Sequence, residues 1–156
     1  MLLALNDMCA KHAPRIVDVK PSKEGERKSI ELTMEWVGDS LLDIVKRNEA
    51  FDWVRLRRNL TVALTDIADV GYIHNDLAPG ASLRNITRNT NGRYYIVDYG
   101  KMIRRRGPLG EHAVAQQVED VVADIRRLIN VHNRHYDPTR TPVTDSKPPR
   151  KITLTK

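Results

Sequence analysis

The sequence predicts an α+β fold, mainly helical, with a short β-hairpin near its N-terminal end and a second hairpin in the middle of the chain. Three observations carry this. Apolar residues alternate with polar ones over Ser29–Val37; an apolar stripe recurs at three- and four-residue steps from Trp53 to Val70; and two short β-prone runs flank Asn91-Gly92.

Residues 2–12 read as a short helix that ends before Pro14, because the residue ahead of a proline is pushed out of helical angles. A strand follows at Arg15–Lys20, then a polar Gly25-containing turn over Pro21–Lys28. The next strand turns Ile30, Leu32, Met34 and Trp36 to one side, and the two strands make a hairpin. Asp39 or Ser40 caps a helix carrying Leu41, Leu42, Ile44 and Val45, since a short side-chain oxygen accepts from first-turn amides. The longer helix that follows buries Trp53, Leu56, Leu60, Leu64, Ile67 and Val70, with Gly71 at the left-handed position past its end. Tyr72–Leu77 is extended or looped, and Asn85–Arg88 and Tyr94–Val97 form strands around the Asn91-Gly92 turn. Glu111–Val131 is the last helix, with Val114, Val118, Val121, Val122, Ile125, Leu128 and Ile129 on its buried side.

The organisation is therefore an N-terminal strand region over residues 1–38, a helical body over 39–136, and a basic tail over 137–156 that is too poor in apolar residues to pack and is expected to be disordered. At 156 residues, with 40% hydrophobic and 29% charged residues, the chain suffices for one packed domain. Cys9 is the only cysteine, so no disulfide forms within the chain, and a reducing setting such as cytosol or nucleus is expected. No apolar run reaches the roughly 18 residues that span a bilayer. The net charge of +6 does not make a nucleic-acid site by itself, because Arg55–Arg58, Arg104–Arg106 and the tail follow no recognition motif. Arg104–Arg106 reads as a solvated loop, and His132, His135 and Asp137 as helix-end residues without the further ligands a metal needs.

The chemistry sits in Gly71-Tyr72-Ile73-His74-Asn75-Asp76-Leu77, in Asn85, and in Asp98-Tyr99-Gly100. These segments resemble the His-x-Asp-Leu catalytic loop, the metal-binding Asn and the Asp-Phe-Gly site of the protein-kinase superfamily. The order of a long helix, this loop, a hairpin, Asp-Tyr-Gly and a further helix containing Asp120 is similar to that family's arrangement over roughly residues 1–132. The resemblance implies the mainly helical C-lobe of a kinase, with a hairpin remnant of the N-lobe in front of it. It further implies ATP and Mg²⁺ as cofactors, Asp76 as the catalytic residue beside the acceptor hydroxyl, and Asn85 and Asp98 as metal ligands. Ile30–Val37 resembles the fifth strand and hinge, which would make Met34 the gatekeeper and put adenine on the backbone of Glu35 and Val37; on residue type alone, Met34, Trp36 and Val37 also fit the core of an edge strand.

The pattern breaks in several places. No Gly-rich loop, third-strand Lys or helix Glu can be fitted. Asn75 stands where many protein kinases have Arg, and Ala78 where they place a Lys near the transferred phosphate. The position five residues after Asp76 is Ala81, so Asn85 takes the Asn role only across an insertion at Gly80–Arg84. No Ala-Pro-Glu follows Asp98. These losses favour a truncated, catalytically impaired kinase homologue that acts as a binding or structural module. The style of reduction is similar to that of viral kinase homologues, which adds the virion as a location. The alternatives are an active phosphotransferase on protein or small-molecule hydroxyls and, on charge alone, a nucleic-acid-associated protein. Apolar residues near Met1–Leu5 and Ile30–Trp36 are expected to face a protein partner or a second copy.

Overall fold

A computed structural model describes residues 2–7, 10–24, 27–107, 110–135 and 152–155. The fold is α+β. Helix α1 (Leu2–Asp7) leads to a ribbon of β1 (Ile16–Glu24) and β2 (Arg27–Met34). The body then runs through β3 (Asp39–Ser40), α2 (Leu41–Lys46), α3 (Trp53–Asp69), β4 (Tyr72–Ile73), α4 (Ser82–Asn85), β5 (Ile86–Arg88), β6 (Tyr94–Ile96), β7 (Ile103–Arg104) and α5 (Glu111–His135). A last strand, β8 (Ile152–Thr155), joins the ribbon. The sheets are small and antiparallel, in the orders β1-β2-β8, β3-β5-β6 and β4-β7.

The centre of the body is the crossing of α3 and α5. Leu56, Leu60, Leu64 and Ile67 of α3 are buried with Val118, Val121, Val122 and Ile125 of α5. Each such side chain fully removed from water contributes about 1.5–3 kcal/mol. Arg57 pairs with Glu119 across the two helices, and the Arg126 guanidinium lies 5.0 Å from the centre of the Trp53 ring. The Asp52 carboxylate caps α3 by accepting from the Arg55 amide at 2.9 Å, and Ser40 caps α2 by accepting from Asp43. Strand β6 lies on α3, where the Tyr94 amide donates to Asn59, and it pairs with β5; Ile86, Tyr94 and Ile96 are buried. The segment before β1 is docked on β6: the His12 ring donates from Nδ1 to the Tyr94 carbonyl at 2.8 Å, and the Ile96 amide donates to the His12 carbonyl at 3.1 Å.

Several local expectations change. The first helix is described over Leu2–Asp7, and Ala10–His12, expected within it, are not helical. The ribbon is longer than the sequence suggests, because both strands continue through the expected turn to Glu24 and Arg27; Pro21 is tolerated on β1, an edge strand. The Asn91-Gly92 turn is not a two-residue one. Only Gly92 has a positive φ, of 73°, and the Asn89 side chain accepts from the amides of Asn91 and Arg93, which closes a longer loop. The strand expected from Asn85 begins one residue later, since Ser82–Asn85 is helical. Of the tail expected to be disordered, Ile152–Thr155 is a strand against Ser29–Leu32, and residues 136–151 lie outside the described residues. Gly38 joins ribbon and body: its φ is +103°, and a Cβ there would come within 2.1 Å of the Arg88 carbonyl oxygen.

Candidate active site

The loop from His74 to Asn85 is held from three sides. On the first side, α3 ends at Gly71, whose φ of +82° turns the chain into β4; β4 pairs with β7, and the Arg105 amide donates to the Gly71 carbonyl at 2.8 Å. This brings the segment after Asp98 alongside the segment before Asp76.

On the second side, His74 is buried and its Nε2–H donates to the Val97 carbonyl at 3.1 Å. Burial lowers the His74 pKa, so the ring is neutral, and its Nδ1 is buried without a hydrogen-bond partner. The Tyr99 ring packs 5.4 Å from it and donates its hydroxyl to the Ile96 carbonyl at 2.8 Å. Burial raises the Tyr99 pKa far above its usual value, so it stays a neutral phenol. His74 and Tyr99 thus fasten the two halves of the site through one apolar contact.

On the third side stands Asp124 of α5. Its buried carboxylate accepts from the Gly80 amide at 2.9 Å and the Ser82 hydroxyl at 2.7 Å through one oxygen, and from Arg127 at 2.7 Å through the other. Burial alone would raise its pKa; the bonds from Ser82, Arg127 and Gly80 outweigh it, and the net shift is downward. The helix carboxylate that meets the loop is therefore Asp124 and not Asp120, which is exposed and accepts from Gln116.

Asp76 and Asn85 meet. Asn85 Nδ2 donates to the Asp76 carbonyl at 2.6 Å and to its Oδ2 at 3.2 Å. Lys101 donates to the other carboxylate oxygen, Oδ1, at 3.0 Å. That bond, ahead of any other influence, holds the Asp76 pKa below the ordinary carboxylate range. The Val97 amide donates to the Asn85 carbonyl at 2.9 Å, so Asp98 follows directly on a residue tied to Asn85. Asp98 itself is exposed, in a left-handed conformation with φ of 62°.

Glu35 and Val37 lie at the junction of ribbon and body. The Glu35 amide donates to the Arg15 carbonyl at 2.9 Å, its carboxylate accepts from the Arg15 amide at 3.0 Å, and the Val37 carbonyl accepts from the Thr87 hydroxyl at 3.0 Å. Thr87 is two residues from Asn85 on the same stretch of chain, which links this junction to the site. Beside the loop, Ala78, Pro79, Asp120, Ala123, Asp124 and Arg127 line an open groove of about 380 Å³.

Sequence reasoning passed over Lys101 and Asp124. Asp124 had a signal: it falls three residues after Val121 and four before Leu128, inside the apolar stripe of its helix, where a carboxylate needs a partner. Lys101 had none beyond its place after Gly100.

No protein-family model matches the sequence. A comparison with curated proteins finds no relative. Solved structures are similar to it. A high-resolution crystal structure of WbdD matches with a TM-score of 0.52 and 16% identity, over 74% of this chain and 24% of that one. A structure of the bifunctional kinase-methyltransferase WbdD matches at 0.53 and 16%, over 81% and 27%. WbdD crystallised with the kinase inhibitor LY294002 matches at 0.53 and 16%, over 83% and 28%. The chain spans about a quarter of the length of these structures, and the likeness is one of fold: it is kinase-like.

Proposed function

We propose that this chain carries the acceptor-activating part of a phosphotransferase that uses ATP and Mg²⁺ and acts on a hydroxyl group. The observation that supports it best is the double bond of Asn85 to Asp76. The inserted residues form a helical turn, clamped by Asp124, from which the Asn85 amide reaches the Asp76 carboxylate.

The residues divide the work by their chemistry. Asp76 is held ionised and presents Oδ2, engaged only by the longer Asn85 bond, to the proton of an acceptor hydroxyl. Asn85 uses its Nδ2 on Asp76, which leaves its amide oxygen for a cation; Asp98 offers an exposed carboxylate next in line. An amide oxygen and a carboxylate are the hard donors that magnesium accepts, so the residues fit the ion. When bound, Mg²⁺ neutralises charge on the transferring phosphates. With the Glu35 amide and the Val37 carbonyl engaged by the fold, the Glu35 carbonyl and the Val37 N–H are the hinge atoms that a purine would use. Strands that cover the triphosphate would pack on the ribbon, from a partner chain or from residues beyond these.

Calorimetric titration of magnesium-ATP into the protein, beside Asp98→Ala, tests this reading. Binding that needs magnesium and disappears in the variant is expected; no binding at millimolar nucleotide sinks it.

A second reading, a kinase-derived binding module, is favoured by the ribbon. Val17, Val19, Ile30 and Trp36 are between 43% and 67% exposed there, an apolar surface suited to a protein partner or a second copy. Sedimentation velocity that shows a monomer at high concentration counts against the second copy.

A further inference from the structure

We propose that Lys101 is a catalytic residue of this site, its ammonium bridging Asp76 and the phosphoryl group as that group passes to the acceptor. The proposal rests on the phosphotransferase reading above.

Under the proposed function a polyanionic donor has to approach two carboxylates, Asp76 and Asp98, and Ala78 brings no charge to the loop. Lys101 is the cation in ion-pair contact with Asp76 among the described residues, at 3.0 Å. Its side chain is 68% exposed against 18% for Asp76, and an ammonium has three donors, of which Asp76 takes one. The backbone beneath it is fixed. Lys101 closes a single 3-10 turn, Tyr99–Lys101; Tyr99 is anchored by its hydroxyl on Ile96, and β7 begins two residues later on β4. The ammonium therefore stands at the rim of the site, held by the base on one side and open to a second anionic oxygen on the other.

In the transfer, a lone pair of the acceptor oxygen forms the new bond to the γ-phosphorus. The bond from that phosphorus to the β–γ bridging oxygen breaks, and its electron pair leaves on ADP. The acceptor proton passes to Asp76 Oδ2. Lys101 makes and breaks no bond of its own: its ammonium holds the Asp76 carboxylate in place at 3.0 Å and lies against the equatorial oxygens of the phosphoryl group during transfer.

The test uses the full chain and the variants Lys101→Met and Lys101→Arg. Calorimetry compares magnesium-ADP alone with magnesium-ADP plus aluminium fluoride, a stand-in for the phosphoryl group in flight, and magnesium-ATP turnover is followed beside it. The wild type is expected to bind the fluoride complex at least about 10-fold tighter than magnesium-ADP. Lys101→Met keeps the affinity for magnesium-ADP, loses that preference, and turns over about 10²-fold more slowly, with Lys101→Arg in between. Unchanged melting by circular dichroism, expected for so exposed a side chain, separates these effects from misfolding. A Met variant that retains the preference and rate, one that runs faster because the ion pair merely blocks Asp76, or one that loses magnesium-ADP as well overturns the proposal and leaves the phosphotransferase reading standing. A wild type that binds neither complex overturns both.

Discussion

The ribbon and the helical body are built from similar apolar residues and end in different states. In the body, the apolar stripe of α3 meets that of α5, and Leu56, Leu60 and Ile125 are almost wholly buried. In the ribbon, Ile16, Val19, Ile30, Leu32 and Met34 gather on one face by strand pairing, yet Val19 and Ile30 remain 45% and 43% exposed. Val17, in the irregular step between Ile16 and Asp18, is 62% exposed. Two amphipathic helices supply each other's second layer, whereas one sheet layer has to find its own. Burial and the ordered polar contacts of the candidate site therefore concentrate in the body, and the ribbon keeps an exposed apolar surface.

The largest expected effect is chemical and lies in the body. Asp76→Asn keeps the shape but removes the proton acceptor, and under the proposed function it lowers magnesium-ATP-dependent transfer about 10³-fold, read as kcat at saturating nucleotide. Retained activity would place the chemistry elsewhere and break the contrast between the regions.

Ile125→Ala comes next. It leaves a cavity at the helix crossing and costs about 3 kcal/mol in urea unfolding. Asp124→Asn strips the loop of its clamp for about 2 kcal/mol, since Gly80, Ser82 and Arg127 lose a buried charged partner. It also flattens the acid side of the stability profile. The Asp124 pKa is lowered on folding, so its contribution is fully present above the unfolded carboxylate value and is lost as pH falls through the folded one. Wild type and variant should converge at low pH.

Ser40→Ala removes the cap of α2 for about 1 kcal/mol, measured the same way. Smallest of all, Val17→Thr on the ribbon should shift stability by less than about 0.5 kcal/mol. A larger loss there would mean that the ribbon's apolar surface is covered in solution, and would sharpen the case for a partner.

The comparison also explains which features were legible early. Helices α2, α3 and α5 announced themselves because their caps and stripes are local: Ser40, Gly71 and the three- and four-residue spacing act within a few turns of chain. The same holds for the hairpin strands and for the loop residues His74 and Asp76, which lie two positions apart in sequence. Where sequence reasoning fell short, a competing local interaction or a distant contact decided. The Asn89 side chain reset the turn expected at Asn91-Gly92. Asp120 and Asp124 lie one helical turn apart, and only the level at which the loop crosses α5 selects the second.

By itself, then, the sequence determined the fold class and the main helices and singled out candidate site residues, because propensity, capping and hydrophobic period are short-range. Tertiary structure alone decided that Asn85 reaches back across its inserted turn to Asp76, that Lys101 meets the same carboxylate from 25 positions away, and that residues 152–155 close the ribbon's second edge. Each of these contacts depends on where separate elements come to rest, and that is set by the packing of α3, α5 and the small sheets around one core.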